Sequence, residues 1–378
     1  MALFSLPPAQ SRADLNLSLF LGGNGGGAAH ALTRTLAPEW FPQSGVQIAW
    51  PHKGTDWAYM LDDITGCYLR LAFEIATREP LLIVTPESEN VGKLLAEKLP
   101  ARATANIALR ECPTNDTWTR DYGLLAVTGS EGTELLDFRF NGWGGKFGAE
   151  LDNAVSRRLT QGDSPVLKGR YVDCNDFELE GGSIETDGEG TLLTTAQCLL
   201  NPNRNPQLDR SAKESLLCER LGVKRVLWLE HGALAGDDTD SHIDTLARLC
   251  PQQTIVYTHC DDTGDEHYAE LHAMEDELRA FRTAGGKPYR LLPLPLPCAI
   301  HDENGERLPA TYANYLVLDG AVLYPTYAQP DNDEAAARVL RQVFTHRDIV
   351  GVDCRALIRQ HGSLHCATMQ YPRGVMAL

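Results

Sequence analysis

Residues 314–324 read NYLVLDGAVLY: the apolar run Asn314–Leu318, the pair Asp319-Gly320, then the apolar run Ala321–Tyr324. Asp-Gly supplies the positive-φ backbone that a two-residue hairpin turn demands, so the two runs are expected to pair as antiparallel strands. Downstream, Asp333–Phe344 reads as a helix and Ile349–Val352 as a short strand. The unit is strand, strand, helix, strand.

The same order recurs upstream. Ser183–Thr186, the turn Asp187-Gly188-Glu189-Gly190 and Thr191–Thr195 form a hairpin. A helix Ser211–Leu221 follows, with Gly222 placed as its C-cap, and Arg225–Leu229 closes that unit. Another unit runs from Gly123–Val127 through Glu134–Phe140, a short helix near Asp152–Leu159 and an extended stretch at Tyr171-Val172. A fourth follows His242: Thr245–Cys250, Thr254–His259, the helix Glu266–Thr283 and the strand Tyr289–Leu292. The first unit, Val46–Trp50, Asp56–Arg78 and Leu81–Val84, is one strand short, and Leu364–Gln370 is placed to supply it. A repeat of roughly 60–65 residues implies units packed side by side around an axis. The expected fold is α/β, a five-fold pseudo-symmetric propeller of ββαβ repeats. A pair of doubly wound α/β domains is the alternative, but hairpins between helices suit antiparallel blades better.

The 378 residues are 43% hydrophobic and carry a formal net charge of −17, from 51 acidic and 34 basic residues. That balance argues against nucleic acid and anionic membrane surfaces, and it favours a cationic ligand. The ten cysteines contain no Cys-x-x-Cys pair, so reduced cysteines in a cytoplasmic protein are expected. The apolar run Leu15–Leu21 is short, is preceded by Asp14 and ends in the glycine-rich run Gly22–Gly27. We therefore expect 1–37 to be an N-terminal extension rather than a secretory signal, and 38–378 to be a single catalytic domain.

Polar residues cluster at the start of each unit: Asp116 to Asp121, Glu180-Gly181-Gly182, Asp240-Ser241-His242-Ile243-Asp244, Thr311–Asn314, and His361 to Cys366. Equivalent starts converge on one end of a ring, which brings Asp121, Glu180, His242, Asp244 and Cys366 within reach of one axial pocket. In an extended segment His242 and Asp244 also share a face. Each has a plainer reading. Asp121 could pair with Arg120, the two glycines after Glu180 could mark only a turn, and Cys366 could be a core cysteine with His365 structural beside it. Asn141–Lys146 is glycine-rich but has neither phosphate-loop nor dinucleotide spacing.

Taken together, Trp118-Thr-Arg-Asp121, Asn141-Gly-Trp-Gly-Gly145, Glu180-Gly-Gly-Ser-Ile184, Gly190–Pro206 (GTLLTTAQCLLNPNRNP), Asp240-Ser-His-Ile-Asp244 and His365-Cys366 resemble the agmatine deiminase family of the guanidine-modifying superfamily. The resemblance runs from about Pro38 to Pro372 and implies the same five-bladed fold. It implies Cys366 as nucleophile, His242 as general acid/base, Glu180 as the carboxylate orienting it, and Asp121 and Asp244 as the grip on a guanidinium. It implies no metal and no cofactor. The surrounding shell departs from the family pattern: Gln360-His361-Gly362-Ser363 replaces a triple glycine, Ser241 a Gly, Thr245 an Asn and Leu124 a Pro.

A planar guanidinium is cationic and a poor electrophile. Two carboxylates cancel its charge and fix its plane, and a thiolate then attacks the carbon. The expected partner is a small cationic guanidino substrate, without nucleic acid or membrane; homo-oligomerisation stays open. Agmatine is favoured over arginine or peptidyl-arginine because Asp116, Trp118 and Trp143 offer acidic and aromatic contacts for its tail, with Arg120 the exception. Two other classes compete: a metal hydrolase built on Asp237, Asp238, Asp240, His242 and Asp244, and a non-catalytic binder of guanidines or polyamines.

Overall fold

A computed structural model describes residues 34–161 and 164–378. Strand β1 (Arg34–Leu36) falls inside the stretch expected to be an extension; residues 1–33 of that stretch lie outside the described residues. The first unit comprises β2 (Gln43–Ala49), a 3-10 turn Asp56–Met60, helix α1 (Leu61–Ala76) and β3 (Leu81–Thr85). It continues into helix α2 (Ser88–Lys98) and β4 (Ile107–Glu111), which the sequence reading did not mark. The second holds β5 (Leu125–Gly129), β6 (Gly132–Arg139), α3 (Glu150–Gln161) and β7 (Arg170–Glu178). The third holds β8 (Ile184–Thr186), β9 (Thr191–Thr195), α4 (Arg210–Leu221) and β10 (Arg225–Leu229). The fourth holds β11 (Ala247–Cys250), β12 (Thr254–His259), α5 (Tyr268–Ala280) and β13 (Arg290–Pro295). The fifth holds β14 (Leu316–Val317), β15 (Ala321–Thr326), α6 (Pro330–Val343) and β16 (Asp348–Asp353), and the last strand is β17 (Thr368–Pro372).

These strands form five separate sheets in a mixed α/β fold, ordered β17-β2-β3-β4, β1-β5-β6-β7, β10-β9-β8, β11-β12-β13 and β14-β15-β16. Each of the last three contains an antiparallel hairpin and then, after its helix, a parallel strand. The first sheet completes the same pattern with β17, which pairs antiparallel to β2, Thr368 opposite Ile48. The closing strand starts later than expected, because Leu364–Ala367 is a turn. His365 and Cys366 therefore sit on that turn and not on alternating strand faces.

Packing follows the apolar periodicity. On α1, Ile64, Tyr68, Leu71 and Ile75 recur at helical spacing and are fully buried, as are Leu82, Ile83 and Val84 of β3. Each such side chain contributes about 1.5–3 kcal/mol of burial. A second core joins Leu229 of the third unit to Ile243, Ile255, Leu271 and Met274. No helix among the described residues is long and apolar enough to cross a membrane.

Helix α4 ends at Gly222 in the left-handed conformation, φ 66°, and a Cβ there would lie 2.5 Å from the carbonyl oxygen of Arg34. Both effects penalise a side chain. Gly222→Ala should destabilise the protein by about 1–2 kcal/mol from the backbone conformation alone. Urea unfolding checks this, and an unchanged midpoint would show that neither constraint operates.

Candidate functional site

The first site residue lies on a single helical turn, Thr119–Tyr122, held under β17 by a hydrogen bond from the Arg120 amide to the Cys366 carbonyl (3.1 Å). This turn buries Asp121. Its Oδ1 accepts the Gly182 amide at 2.9 Å and its Oδ2 accepts Trp143 Nε1 at 3.0 Å. The plainer reading, a pair with Arg120, is not what forms. The Arg120 guanidinium turns away to Gln370 Oε1 (2.6 Å). Among the described residues no Lys or Arg pairs with Asp121.

Trp143 reaches Asp121 because the backbone is coiled tightly there. Gly142, Trp143, Gly144 and Gly145 all have positive φ, and Trp143 adopts φ 54°, ψ 48°. A side chain at Gly144 would collide with Asn203, and one at Gly142 with the Phe147 carbonyl. The glycine-rich stretch thus serves to present an indole, whose ring is also pinned edge-on between Phe140 and Phe147.

His242 and Asp244 arrive differently from the strand geometry expected. His242 is the extended N-cap of a 3-10 turn Ile243–Thr245, and β11 begins only at Ala247. Asp240 and Ser241 just before it have φ 66° and 65°, a kink fixed by hydrogen bonds from the Ser241 and Thr239 amides to Asp237. The turn still brings both residues to one place. A Cβ added at Gly182 would lie 2.8 Å from Asp121 Oδ1, 2.8 Å from His242 Nδ1 and 3.1 Å from Asp244 Oδ2. The missing side chain of Gly182 marks the point on which the three converge.

Cys366 completes the group. Its Sγ lies 3.2 Å from Asn314 Nδ2 and 3.8 Å from Asp244 Oδ2. Asn314 also takes the His365 amide on its Oδ1 (2.8 Å), so one side chain fixes the turn that carries the thiol. His365 Nδ1–H donates to Asp244 Oδ2 at 2.7 Å, while its Nε2 lies 3.1 Å from both Glu39 Oε2 and Arg248. Arg248 in turn binds Glu185 and Glu39.

Glu180 is buried beside this group, but its Oε1 accepts Arg204 Nε at 2.7 Å. The hydrogen bond to His242 that the resemblance implied is not formed. The Glu180 carboxylate and the His242 ring come within 4.8 Å of each other, and Glu180 Oε2 and both His242 nitrogens have no partner. Asp244 Oδ1 is likewise unpaired. Buried unpartnered polar atoms cost about 1–3 kcal/mol each and are rare in folded proteins, so four gathered together mark a site built for something else to bind.

The acidities follow from burial and charge. Burial pushes the His242 imidazolium down to about 3, leaving a neutral ring. Burial, and then Asp244 and Glu180, raise Asp121 well above the carboxylate range. Burial would raise Asp244 too, but the His365 hydrogen bond and charge outweigh it and hold Asp244 low. The Cys366 thiol is raised well above its ordinary value by burial and by Asp244 and Asp121.

Outward from Asp121 and Cys366 opens a cleft of about 390 Å³ lined by Asp56, Asp116, Trp118, Trp143, Asp238 and His361, among others. Of the residues expected in the site, Asp116, Trp118, Asp121, Trp143 and Cys366 line it; His242, Glu180 and Asp244 sit deeper, joined to it through Asp121 and Cys366. Asn314, Arg204 and Arg248 were given no role in the site from the sequence; Asp238 entered only as a metal ligand in the alternative reading, and His361 only within the altered segment Gln360–Ser363. Asn314 and Arg204 lay within segments already singled out, at a unit start and in Gly190–Pro206. The acidic cluster considered as a metal set does not converge. Asp240 binds Arg204 and Lys146, Asp237 caps its own loop, and Asp244 takes His365.

A family model for Porphyromonas-type peptidyl-arginine deiminases matches residues 35–372. The agmatine deiminase of Stutzerimonas stutzeri strain A1501 is 32% identical over 363 residues, which covers 89% of this chain and 95% of the relative. The chain belongs to this family of agmatine and peptidyl-arginine deiminases. Two solved members of known structure superpose closely. A Porphyromonas gingivalis protein provisionally described as an arginine deiminase is 50% identical, with TM-score 0.85 over 91% of this chain and 100% of that one. A C. jejuni agmatine deiminase, a cysteine-to-serine variant with substrate bound, is 37% identical, with TM-score 0.82 over 90% of this chain and 97% of that one.

For a deiminase built this way, Gly182 should admit no side chain. Gly182→Ala places a methyl among Asp121, His242 and Asp244. Displacing reacting groups by about an ångström costs on the order of 100-fold in rate. The variant should lose at least that in kcat/KM while keeping its circular dichroism, and near-native turnover would show that the three groups are not jointly used.

Proposed function

We propose that the chain hydrolyses the guanidinium of agmatine to N-carbamoylputrescine and ammonia. The observation that carries this reading is the pair Asp121 and Asp244 beside a thiol, with no Lys or Arg of the described residues on Asp121. Two carboxylates at this depth call for a cation, and a guanidinium supplies one with N–H donors in a planar fork. Bound there, its charge cancels the two carboxylates that keep the Cys366 thiol protonated. The neutral His242 ring then takes the thiol proton. The sulfur attacks the guanidinium carbon, His242 returns the proton to the departing ammonia, and a covalent thiouronium remains. A water, deprotonated by His242, adds to that carbon; the C–S bond breaks, and the ureido product leaves with Cys366 restored as a thiol. Glu180, held by Arg204, positions His242 and steadies its charged form. His365 sets the charge of Asp244 and is a positioning residue.

The cleft supports agmatine over arginine. Its lining holds Asp56, Asp116 and Asp238 beside Asp121, and no Lys or Arg among the described residues. Arg120, the one cation that might have met an α-carboxylate, is buried elsewhere against Gln370. An ammonium tail suits this lining, and Trp118 and Trp143 can cover the methylenes or face the cation, worth roughly 0.5–2 kcal/mol. We further read the five sheets as blades of one five-fold pseudo-symmetric ring, with residues 38–378, extended by strand β1, as a single catalytic domain. The β17–β2 pairing, which joins the chain's end to its first unit, supports this. A cytoplasmic setting fits ten cysteines that are all free.

The deciding experiment measures kcat/KM side by side for agmatine, arginine and a blocked peptidyl-arginine, with Cys366→Ala as the blank. Agmatine should lead by at least tenfold. If either competitor leads by that margin, the agmatine reading fails and only the deiminase class survives.

Acidity offers a second check. Burial pushes Asp116 up to about 7 and, against the pull of His361, Asp238 up to about 6. Below those values the cleft is protonated and binds a dication poorly; above them both carboxylates are charged. KM for agmatine should therefore fall as pH is raised from ~5 to ~8. Asp238→Asn should flatten the lower part of that fall, and an unaltered profile would remove Asp238 from tail recognition.

A further inference from the structure

We propose that His259, His272 and Glu275, none of them among the deiminase residues, form a binding site for one first-row divalent transition ion. His259 is the last residue of β12, and α5 presents His272 and Glu275 three apart on one face. The three potential ligand atoms lie within 4.8 Å of one another. His259 Nδ1 is 2.9 Å from Glu275 Oε2, and His272 Nδ1 is 4.0 Å from the same oxygen.

The partners of the outer atoms decide what faces inward. The Cys260 carbonyl can only accept, so His272 Nε2 (3.2 Å away) carries the proton and leaves Nδ1 with its lone pair. Asp261 Oδ1 does the same for His259 Nε2 at 2.9 Å. Glu275 Oε1 is taken by the Tyr257 hydroxyl (2.8 Å) and Arg279, so Oε2 is the free oxygen. Two imidazole lone pairs and a carboxylate oxygen thus point at one another, which is repulsive without a cation between them. A proton on His259 Nδ1 does not serve. Despite their 2.9 Å separation the two atoms lack hydrogen-bond alignment, and both are buried without a partner.

Ligands 2.0–2.2 Å from a tetrahedral ion lie about 3.3–3.5 Å apart, and the separations here bracket that value. Two imidazoles with one carboxylate favour zinc, cobalt or nickel over calcium or magnesium. The carboxylate and carbonyl behind the rings are the supports such ligands use. Two other groups, Glu180–Cys198–His242 and Glu39–Glu185–His365, also gather donors, but their members belong to the deiminase site and the residues that support it. The ion would clip the end of β12 to α5 and take no part in turnover.

The test is calorimetric titration of the full chain, first stripped with EDTA, with Zn2+, and with Co2+ followed by visible absorption. Wild type should bind one equivalent of Zn2+ whose affinity falls at least tenfold in both His272→Ala and Glu275→Gln, while turnover in His272→Ala and in the stripped wild type stays unchanged. His272 is partly exposed, so that variant keeps its fold, which circular dichroism verifies. No bound Zn2+ in wild type, a loss smaller than tenfold in either variant, or turnover that follows the ion would overturn the proposal.

Discussion

Burying carboxylates without matching each to a cation is the constraint on which this molecule turns. Glu39, Asp121, Glu180, Glu185 and Asp244 are all withdrawn from water around one region. Arg248 serves Glu39 and Glu185, Arg204 serves Glu180, and His365 serves Asp244. Among the described residues Asp121 receives hydrogen bonds only from neutral donors, an indole and an amide. An uncompensated buried charge is far costlier than a paired one, and burial with its acidic neighbours holds Asp121 well above the usual carboxylate range. Of these five carboxylates Asp121 is the one without an Arg or His hydrogen-bond partner among the described residues.

That balance needs backbone where side chains will not fit. Gly182 gives its amide to Asp121 and leaves the space its Cβ would fill to three polar groups. Gly362 lies so close to Trp118 that a Cβ would stand 2.3 Å from the ring. Four consecutive positive-φ residues from Gly142 aim the Trp143 indole inward. Strained or crowded backbone of this kind persists only where surrounding contacts over-determine it, and here those contacts belong to the site.

The repeat was legible because hairpins are local: β14 and β15 pair across Asp319-Gly320, although neither turn residue takes the positive φ expected of it. Helix α2 with β4 and strand β1 were not, because each adds to a sheet already formed, and β1 is too short for alternation to show. The motif residues were legible as a set, yet their local geometry was not. His242 and Asp244 meet through a 3-10 turn, not along a strand, because Asp237 pins the preceding loop. The tie between Glu180 and Arg204 spans 24 positions and that between His365 and Glu39 spans 326. No periodicity carries such pairings. Long-range charge matching becomes visible only when the chain is folded, although Arg204 stood inside a stretch already marked as special.

The same electrostatics explain how a protein can keep a nucleophile safe. Burial with Asp244 and Asp121 raises the Cys366 thiol, which favours the protonated form over the reactive thiolate. A guanidinium placed between the carboxylates reverses the sign of the local field. On the proposed mechanism it makes the thiol more acidic and so favours transfer of its proton to His242. A neutral ureido product no longer supplies that charge, so the thiol regains its proton as the product leaves. Selectivity for cations and protection of the cysteine are then one property: the groups that recognise the substrate are the groups that silence the nucleophile in its absence.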